Sequence, residues 1–254
     1  MKSINLKLML LVIAAIAAGC ANTTKTDDQA AVAARVEAQL QRDDRGRFDK
    51  PKDPHRRPIA MVKFLGVQSG MTALDVGSAA GYSAEILSAA VGPGGHVYAQ
   101  NNARATRLQD GKFIASLRRR AADDRLPNLE IVIWEMDAMP LENSVDIAFW
   151  GNNLHDYYNR EGEEVTLKIL RTIRKTMKNG AILGIVDHVG VAGANNVKLH
   201  RIEPSVLEEL IQKAGFKIIA TSNMYQNPND KHDLNVFNDA IYRATDRHFV
   251  KAVK

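Results

Sequence analysis

Cysteine is almost missing from this chain. Its 254 residues include one, Cys20, so no disulfide can close within it and its stability must come from a packed core. Aromatic residues are sparse at 6%, and no basic stripe is interleaved with them, which argues against nucleic acid as a partner. Neither sign of charge dominates, at a formal +5. The basic-then-acidic run "LRRRAADDR" at 117–125 reads as a solvated helix end. No apolar run reaches the roughly 20 residues of a membrane span; the run Leu8 to Ala18 is much shorter. What remains, 45% hydrophobic and 25% charged, is the balance of a globular core, at a length suited to one α/β domain with an arm.

The first residues differ from the rest. Lys2 and Lys7 precede the apolar run, and "AAGC" follows it. A basic start, a short apolar stretch and small residues before a break describe a secretory signal over 1–19. Cys20 behind Ala17-Ala18-Gly19 resembles the bacterial lipobox, in which the cysteine is lipidated. That resemblance implies export, an N-terminal lipid anchor in the membrane and, with Ala21 next, the periplasmic face of the outer membrane. Without Lys2 and Lys7 the net charge falls from +5 to +3. Residues 20–41 read as a lipidated tether, and 42–71 as an irregular, proline-interrupted arm ending in a short helix over 59–67.

From Thr72 to Lys254 the pattern alternates, as one further domain. Buried strands are expected at 72–77, 96–101, 129–135, 144–151, 181–189 and 216–224, with helices at 80–91, 103–122, 163–177 and 203–215 between them. A last strand is expected at 247–253. Strands alternating with helices predict a doubly wound α/β sheet of seven strands, mostly parallel. The last connection has no helix, so the final strand should run antiparallel beside the sixth.

Ligands of such sheets bind at the carboxyl ends of the strands. "LDVGSAAGYSAEIL" (74–87) places Asp75, Gly77 and Gly81 at the first of these ends. The glycines permit a sharp turn and a close ligand approach, and the next helix offers free N–H groups. The dinucleotide fingerprint G-x-G-x-x-G is not matched. An acid beside a pyrophosphate would repel it, so Asp75 favours a cationic ligand.

The D-x-G-x-x-x-G stretch resembles the first motif of class I methyltransferases. "NNLHDYYNR", "GAILGIVDHVG", "HRIEPSVLEELIQKAGFKIIATSNM" and "NPNDKHDLNVFNDAIYRATDRHFV" resemble a bacterial, often exported family of predicted methyltransferases. The resemblance implies the Rossmann-like methyltransferase fold and S-adenosyl-L-methionine as cofactor. It implies cofactor contacts from Asp75, Gly77, Ser78, Gly81, Tyr82, Asn101, Asp137, Ala138 and Asn152. Two departures stand out: Ala79 replaces a frequent third glycine, and the second strand ends on neutral Gln100 and Asn101 where an acid usually meets the ribose.

Methyl transfer from a sulfonium needs close positioning, and needs a base only if the acceptor must lose a proton. His155 and Asp156 follow the fourth strand, and Asp187 and His188 end the fifth. These four are the candidate catalytic groups, with His155 as base oriented by Asp156 or Asp187. Asn152 and Asn153 are placed to position the acceptor, Tyr157 and Tyr158 to wall the pocket, and His200 and Arg201 to touch a small-molecule substrate. The same two histidines and two acids would suit zinc, but their spacing matches no known ligand pattern, and no metal is assigned. The acceptor is expected to be small or envelope-associated. Two alternatives stay open, a non-catalytic nucleoside-binding protein and a structural lipoprotein.

Overall fold

A computed structural model describes residues 26–254. The expected signal, Cys20 and the first residues of the expected tether lie outside that range. Helices are α1 (26–40), α2 (Pro58–Leu65), α3 (Tyr82–Val91), α4 (Lys112–Ala121), α5 (Leu154–Thr176) and α6 (Pro204–Lys213). Strands are β1 (Thr72–Val76), β2 (His96–Asn101), β3 (Leu129–Ile133), β4 (Val145–Gly151), β5 (Met177–His188), β6 (Lys217–Ser222) and β7 (Arg247–Val253).

The seven strands form one sheet in the order β3-β2-β1-β4-β5-β7-β6. β7 pairs antiparallel with both β5 and β6, and the other pairs are parallel. The expected fold class is therefore present. β7 is inserted between β5 and β6 rather than added outside β6. Its run "RHFVKAV" buries Phe249, Val250 and Ala252, which an edge position would leave half exposed.

Alternate residues of each strand face opposite layers. Ala73, Ile147 and Phe249 pack with Val36, Leu65, Ile86 and Leu117 of α1 to α4. Leu74, Val76 and Trp150 pack with Ile169, Leu170 and Leu207 of α5 and α6. No helix among the described residues is long and apolar enough to cross a membrane.

Three expected boundaries change. Residues 26–40, expected as tether, form a helix docked on the sheet layer. Val32 and Val36 are fully buried, each contributing roughly 1.5–3 kcal/mol, and Arg35 donates to the carbonyls of Ala89 and Ala90 at 3.1 and 2.6 Å. The helix expected over 103–122 begins only at Lys112, because Leu108, Gln109 and Asp110 leave helical geometry. That expected at 163–177 starts at Leu154, with a break at Gly162 where φ is +86°.

The arm is not irregular edge either. Arg45 forks onto Asp53 at 2.6 and 3.0 Å, and Arg120 bridges Asp49 and Glu85. Arg125 also reaches Glu85, at 2.9 Å. Arg120 and Glu85 are buried, so the run 117–125 contributes to a buried ion network rather than a solvated helix end. A buried Glu85 needs this many cations because an uncompensated carboxylate would not tolerate that site.

Candidate active site

A cavity of about 360 Å³ opens at the carboxyl ends of β1, β4 and β5, within the range of small-molecule sites. One wall is the loop after β1. Gly77 has φ +61° and Ala79 φ +49°, so the loop coils tightly. Its N–H groups are held from beside: Gly77 donates to Gln100 Oε1 and Ala79 to Asn101 Oδ1, both at 2.9 Å.

Asp75 sits at the base of that wall, 2% exposed, with Oδ2 lacking any partner among the described residues. Burial pushes its carboxyl up to about 7, against smaller opposing contributions from Ser78, Arg56 and the Ala84 backbone. Ser78 Oγ and Asn152 Oδ1 are also buried and unpartnered. All three residues line the cavity. Buried polar atoms are nearly always satisfied, so three orphans around one cavity fit a polar ligand. An ionisable acid among them fits the cationic end of S-adenosyl-L-methionine.

The second wall carries the titratable cluster. Gly151 of β4 pairs in register with Val186 of β5, so the first turn of α5 meets the end of β5. His155 Nδ1 lies 2.6 Å from Asp187 Oδ1, and the His155 N–H donates to Asp187 Oδ2 at 2.8 Å. The His188 backbone N–H donates to Asp187 Oδ1 at 2.8 Å. His155 Nε2 is 3.4 Å from Asp156 Oδ1, and His200 Nδ1 is 2.8 Å from that same oxygen. The four expected groups thus converge, and His200 joins them.

The two histidines next to Asp187 are pushed in opposite directions. Burial alone would lower His155, but Asp187 and Asp156 outweigh it and raise it to about 10. His188 is driven well below its ordinary value by burial, then by His155 and nearby arginines. At neutral pH His155 is therefore an imidazolium. A protonated ring is a poor proton acceptor, which weighs against its expected role as base. The neutral histidine on the cavity is His188, whose Nδ1 lies 2.8 Å from Thr245 Oγ1.

Several other expected residues lie away from this cavity or are engaged elsewhere. Gly81 does not line the cavity; at φ +85° its missing Cβ makes room for Leu117 of α4. A Cβ at Gly77 would stand 2.8 Å from Asn153 Nδ2, so that close approach is also between protein groups. Asn101 is buried and spent on the Ala79 N–H. Asp137 pairs with Lys168 at 2.7 Å, outside the cavity, and Ala138 does not line it. Asp187 stands behind His155. Tyr157 and Tyr158 pack against the α5–α6 core. Arg201 is fully buried, forked on Asp230 at 3.0 Å through both nitrogens. Gly77, Ser78, Tyr82, Asn152, His155, Asp156 and His188 do line the cavity.

The third wall was not legible in the sequence. Lys52, His55 and Arg56 reach in from the arm, and Arg243 and Arg247 from the segment before and at the start of β7. Arg56 stacks 4.6 Å from the centre of the Tyr82 ring. Among the described residues, Arg56, Arg243 and Arg247 have no carboxylate within ion-pair distance, and Nε of both Arg243 and Arg247 is buried without a partner. Burial, with Arg56 and Arg57 nearby and Tyr225 opposing, lowers Arg247 to about 10. Three prolines and four lysines and arginines in "KPKDPHRRP" were the available signal, but only the folded arm says where they point.

Residues 53–122, which hold β1, its loop and α3, match the family model for protein-L-isoaspartate(D-aspartate) O-methyltransferase. No curated protein matches the chain at the sequence level. Among solved structures, a SAM-dependent methyltransferase from Aquifex aeolicus is similar over 81% of this chain and 94% of its own, at 22% identity and TM-score 0.59. Phosphoethanolamine N-methyltransferase 2 from Haemonchus contortus, in complex with S-adenosyl-L-methionine, is similar over 78% of this chain and 52% of its own, at 18% and 0.56. The [4+2]-cyclase SpnF is similar over 79% and 80%, at 18% and 0.58; a shared fold does not by itself fix the reaction. The family match lies on the loop after β1 itself, and the fold is that of class I S-adenosylmethionine-dependent methyltransferases.

Proposed function

We propose that the protein methylates a small acceptor bearing a carboxylate or phosphate group. The observation that carries this reading is the unpaired cationic wall, Arg56, Arg243 and Arg247, facing the Asp75 loop across one cavity. One anion, the carboxylate of the cofactor's own methionine end, does not balance three arginines.

When bound, S-adenosyl-L-methionine supplies a methyl group on a sulfonium, a leaving group that departs as a neutral thioether. Asp75 and Ser78 hold the cofactor's polar end. The arginines orient the acceptor, and near-attack positioning of this kind contributes roughly 7–11 kcal/mol. His188 accepts the proton if the methylated atom is a hydroxyl or amine. Asn152, with its unpaired Oδ1, orients the acceptor's donor group.

Calorimetry with S-adenosyl-L-methionine and S-adenosylhomocysteine should give micromolar affinity. Transfer of labelled methyl to a panel of small carboxylates and phosphates should exceed transfer to their neutral esters. Binding without any turnover across the panel would favour a non-catalytic binding protein, and no binding at all would leave only a structural role.

We also propose that the chain is exported and lipidated at Cys20, placing the domain on the periplasmic face of the outer membrane. "AAGC" behind a basic, apolar start supports this. Metabolic labelling with a fatty acid should mark the protein and be lost in Cys20→Ser; an unlabelled wild type ends the idea.

A further inference from the structure

We propose that His155, Asp156 and His200 form a binding site for one divalent transition-metal ion of zinc's class, at the edge of the cavity. A ligand nitrogen or oxygen from each of the three lies within 4.8 Å of the others. Two imidazoles and one carboxylate are a donor set for such ions, with positions left open.

Two further observations point to a ligand at this spot. His155 is 1% exposed, yet its Nε2 has no hydrogen-bond partner among the described residues. That nitrogen lies 3.4 Å from Asp156 Oδ1, too far for a good hydrogen bond to the ring. For bonds of about 2.0–2.2 Å to a tetrahedral ion, the distance between two ligand atoms is close to that figure. The other side of the ring is already arranged. Nδ1 bonds Asp187 at 2.6 Å, and Asp187 is itself fixed by two backbone N–H groups. A metal-binding histidine almost always has such a carboxylate behind it, which sets the tautomer and aims the free nitrogen.

His200 is held in place by unusual means. Its backbone has φ +56°, a conformation an ordinary residue adopts at a cost. The next residue, Arg201, is buried and clamped on Asp230 and the Leu234 carbonyl. Phe237 backs the ring, with centroids 5.2 Å apart. The ion would take the place of the proton on His155 Nε2, which has no hydrogen-bond partner among the described residues. Its open positions would face the cavity, where an acceptor oxygen can reach it.

The test is titration of chelator-treated, full-length protein with Zn²⁺ and Co²⁺, and separately with Mg²⁺. We expect one equivalent of Zn²⁺ and visible d–d absorption with Co²⁺, with Mg²⁺ binding at least 100-fold weaker. His200→Ala and Asp156→Asn should each weaken Zn²⁺ binding 100-fold or more, and Asp187→Asn 10–100-fold. His200 and Asp156 are partly exposed, so these variants are expected to fold, and circular dichroism checks it. Absence of stoichiometric binding, or binding that survives His200→Ala and Asp156→Asn, overturns the proposal. S-adenosyl-L-methionine affinity measured on the same samples separates this outcome from failure of the cofactor reading, because Asp75 is not among the ligands.

Discussion

Replacing Asp75 by asparagine should make the cofactor-free protein more stable above pH 7 while removing its grip on the cofactor. The carboxyl is nearly inaccessible and one of its oxygens is unpartnered. Burial raises it from 3.8 to about 7. Between those values the folded chain keeps a proton that the unfolded chain has released. Stability therefore falls as pH rises from about 4 to about 7, and levels off beyond. A tenfold difference in proton affinity is worth about 1.4 kcal/mol, so the whole gap corresponds to a penalty of about 4 kcal/mol at pH 8. Asparagine has the same shape and no charge, but its unmet hydrogen bonds restore a cost of about 1–3 kcal/mol. The net gain is then on the order of 1–3 kcal/mol at pH 8, vanishing or reversing near pH 4. Urea unfolding of both proteins from pH 4.5 to 8.5 reads this directly. Calorimetry adds an independent arm. A cationic group placed beside Asp75 lowers its proton affinity, so S-adenosyl-L-methionine binding to wild type should release a proton near pH 6 and none at pH 8.5. A stability difference that does not change with pH, or an Asp75→Asn variant that binds the cofactor normally, refutes the reasoning.

Four further outcomes follow from the same geometry. His155 is raised from 6.5 to about 10, so chelator-treated protein should have its full contribution below pH 6.5 and lose it steadily up to pH 10; thermal melts that stay flat across that window count against the His155–Asp187 pairing. His188 is neutral well below pH 6.5, so the pH–rate profile should show no histidine step between pH 6 and 8, and His188→Gln should slow kcat for a hydroxyl acceptor by 10²-fold or more. Gly81→Ala forces a side chain into φ +85° and against Leu117, costing about 2 kcal/mol and lowering Tm by roughly 4–8 °C. Arg120→Ala strips Glu85 and Asp49 of a shared cation, which should cost about 3–5 kcal/mol in urea unfolding and expose residues 42–57 to limited proteolysis.

The order of elements was legible because it rests on periodicity. Four- to seven-residue apolar runs such as "TALDV" and "VDIAFWG" cannot be solvated, and the amphipathic stretches between them have only one place to lie. The convergence of His155 with Asp187 was legible for the same reason, since each sits just past a strand end and the two strands are neighbours. What periodicity cannot carry is direction and protonation. Gln100 and Asn101 stand where a ribose contact was expected, but a neutral amide can accept a backbone N–H, and here both turn inward to brace the loop. The sequence presents His155 and His188 as equivalent partners of acids. Only the distances show that His155 faces two carboxylates while His188 faces several arginines, and this difference pushes their proton affinities in opposite directions.

The arm is the instructive case. Residues 26–57 look like spacer by composition, yet they complete both halves of the molecule. Val32 and Val36 cover the α3 side of the core, Arg45 and Asp49 neutralise the network around buried Glu85, and Lys52, His55 and Arg56 supply part of the cationic wall. One end of that network touches the site: Asp53 accepts from Tyr82 at 2.7 Å, and Tyr82 lies against the cofactor loop. A chain lacking this arm would have the full sheet, Asp75 and the histidine cluster, but an open cavity with half its cations missing. In the proposed reading the sheet thus supplies the cofactor wall, while the segments outside its repeating pattern, the arm and the stretch before β7, supply the surface that chooses the acceptor.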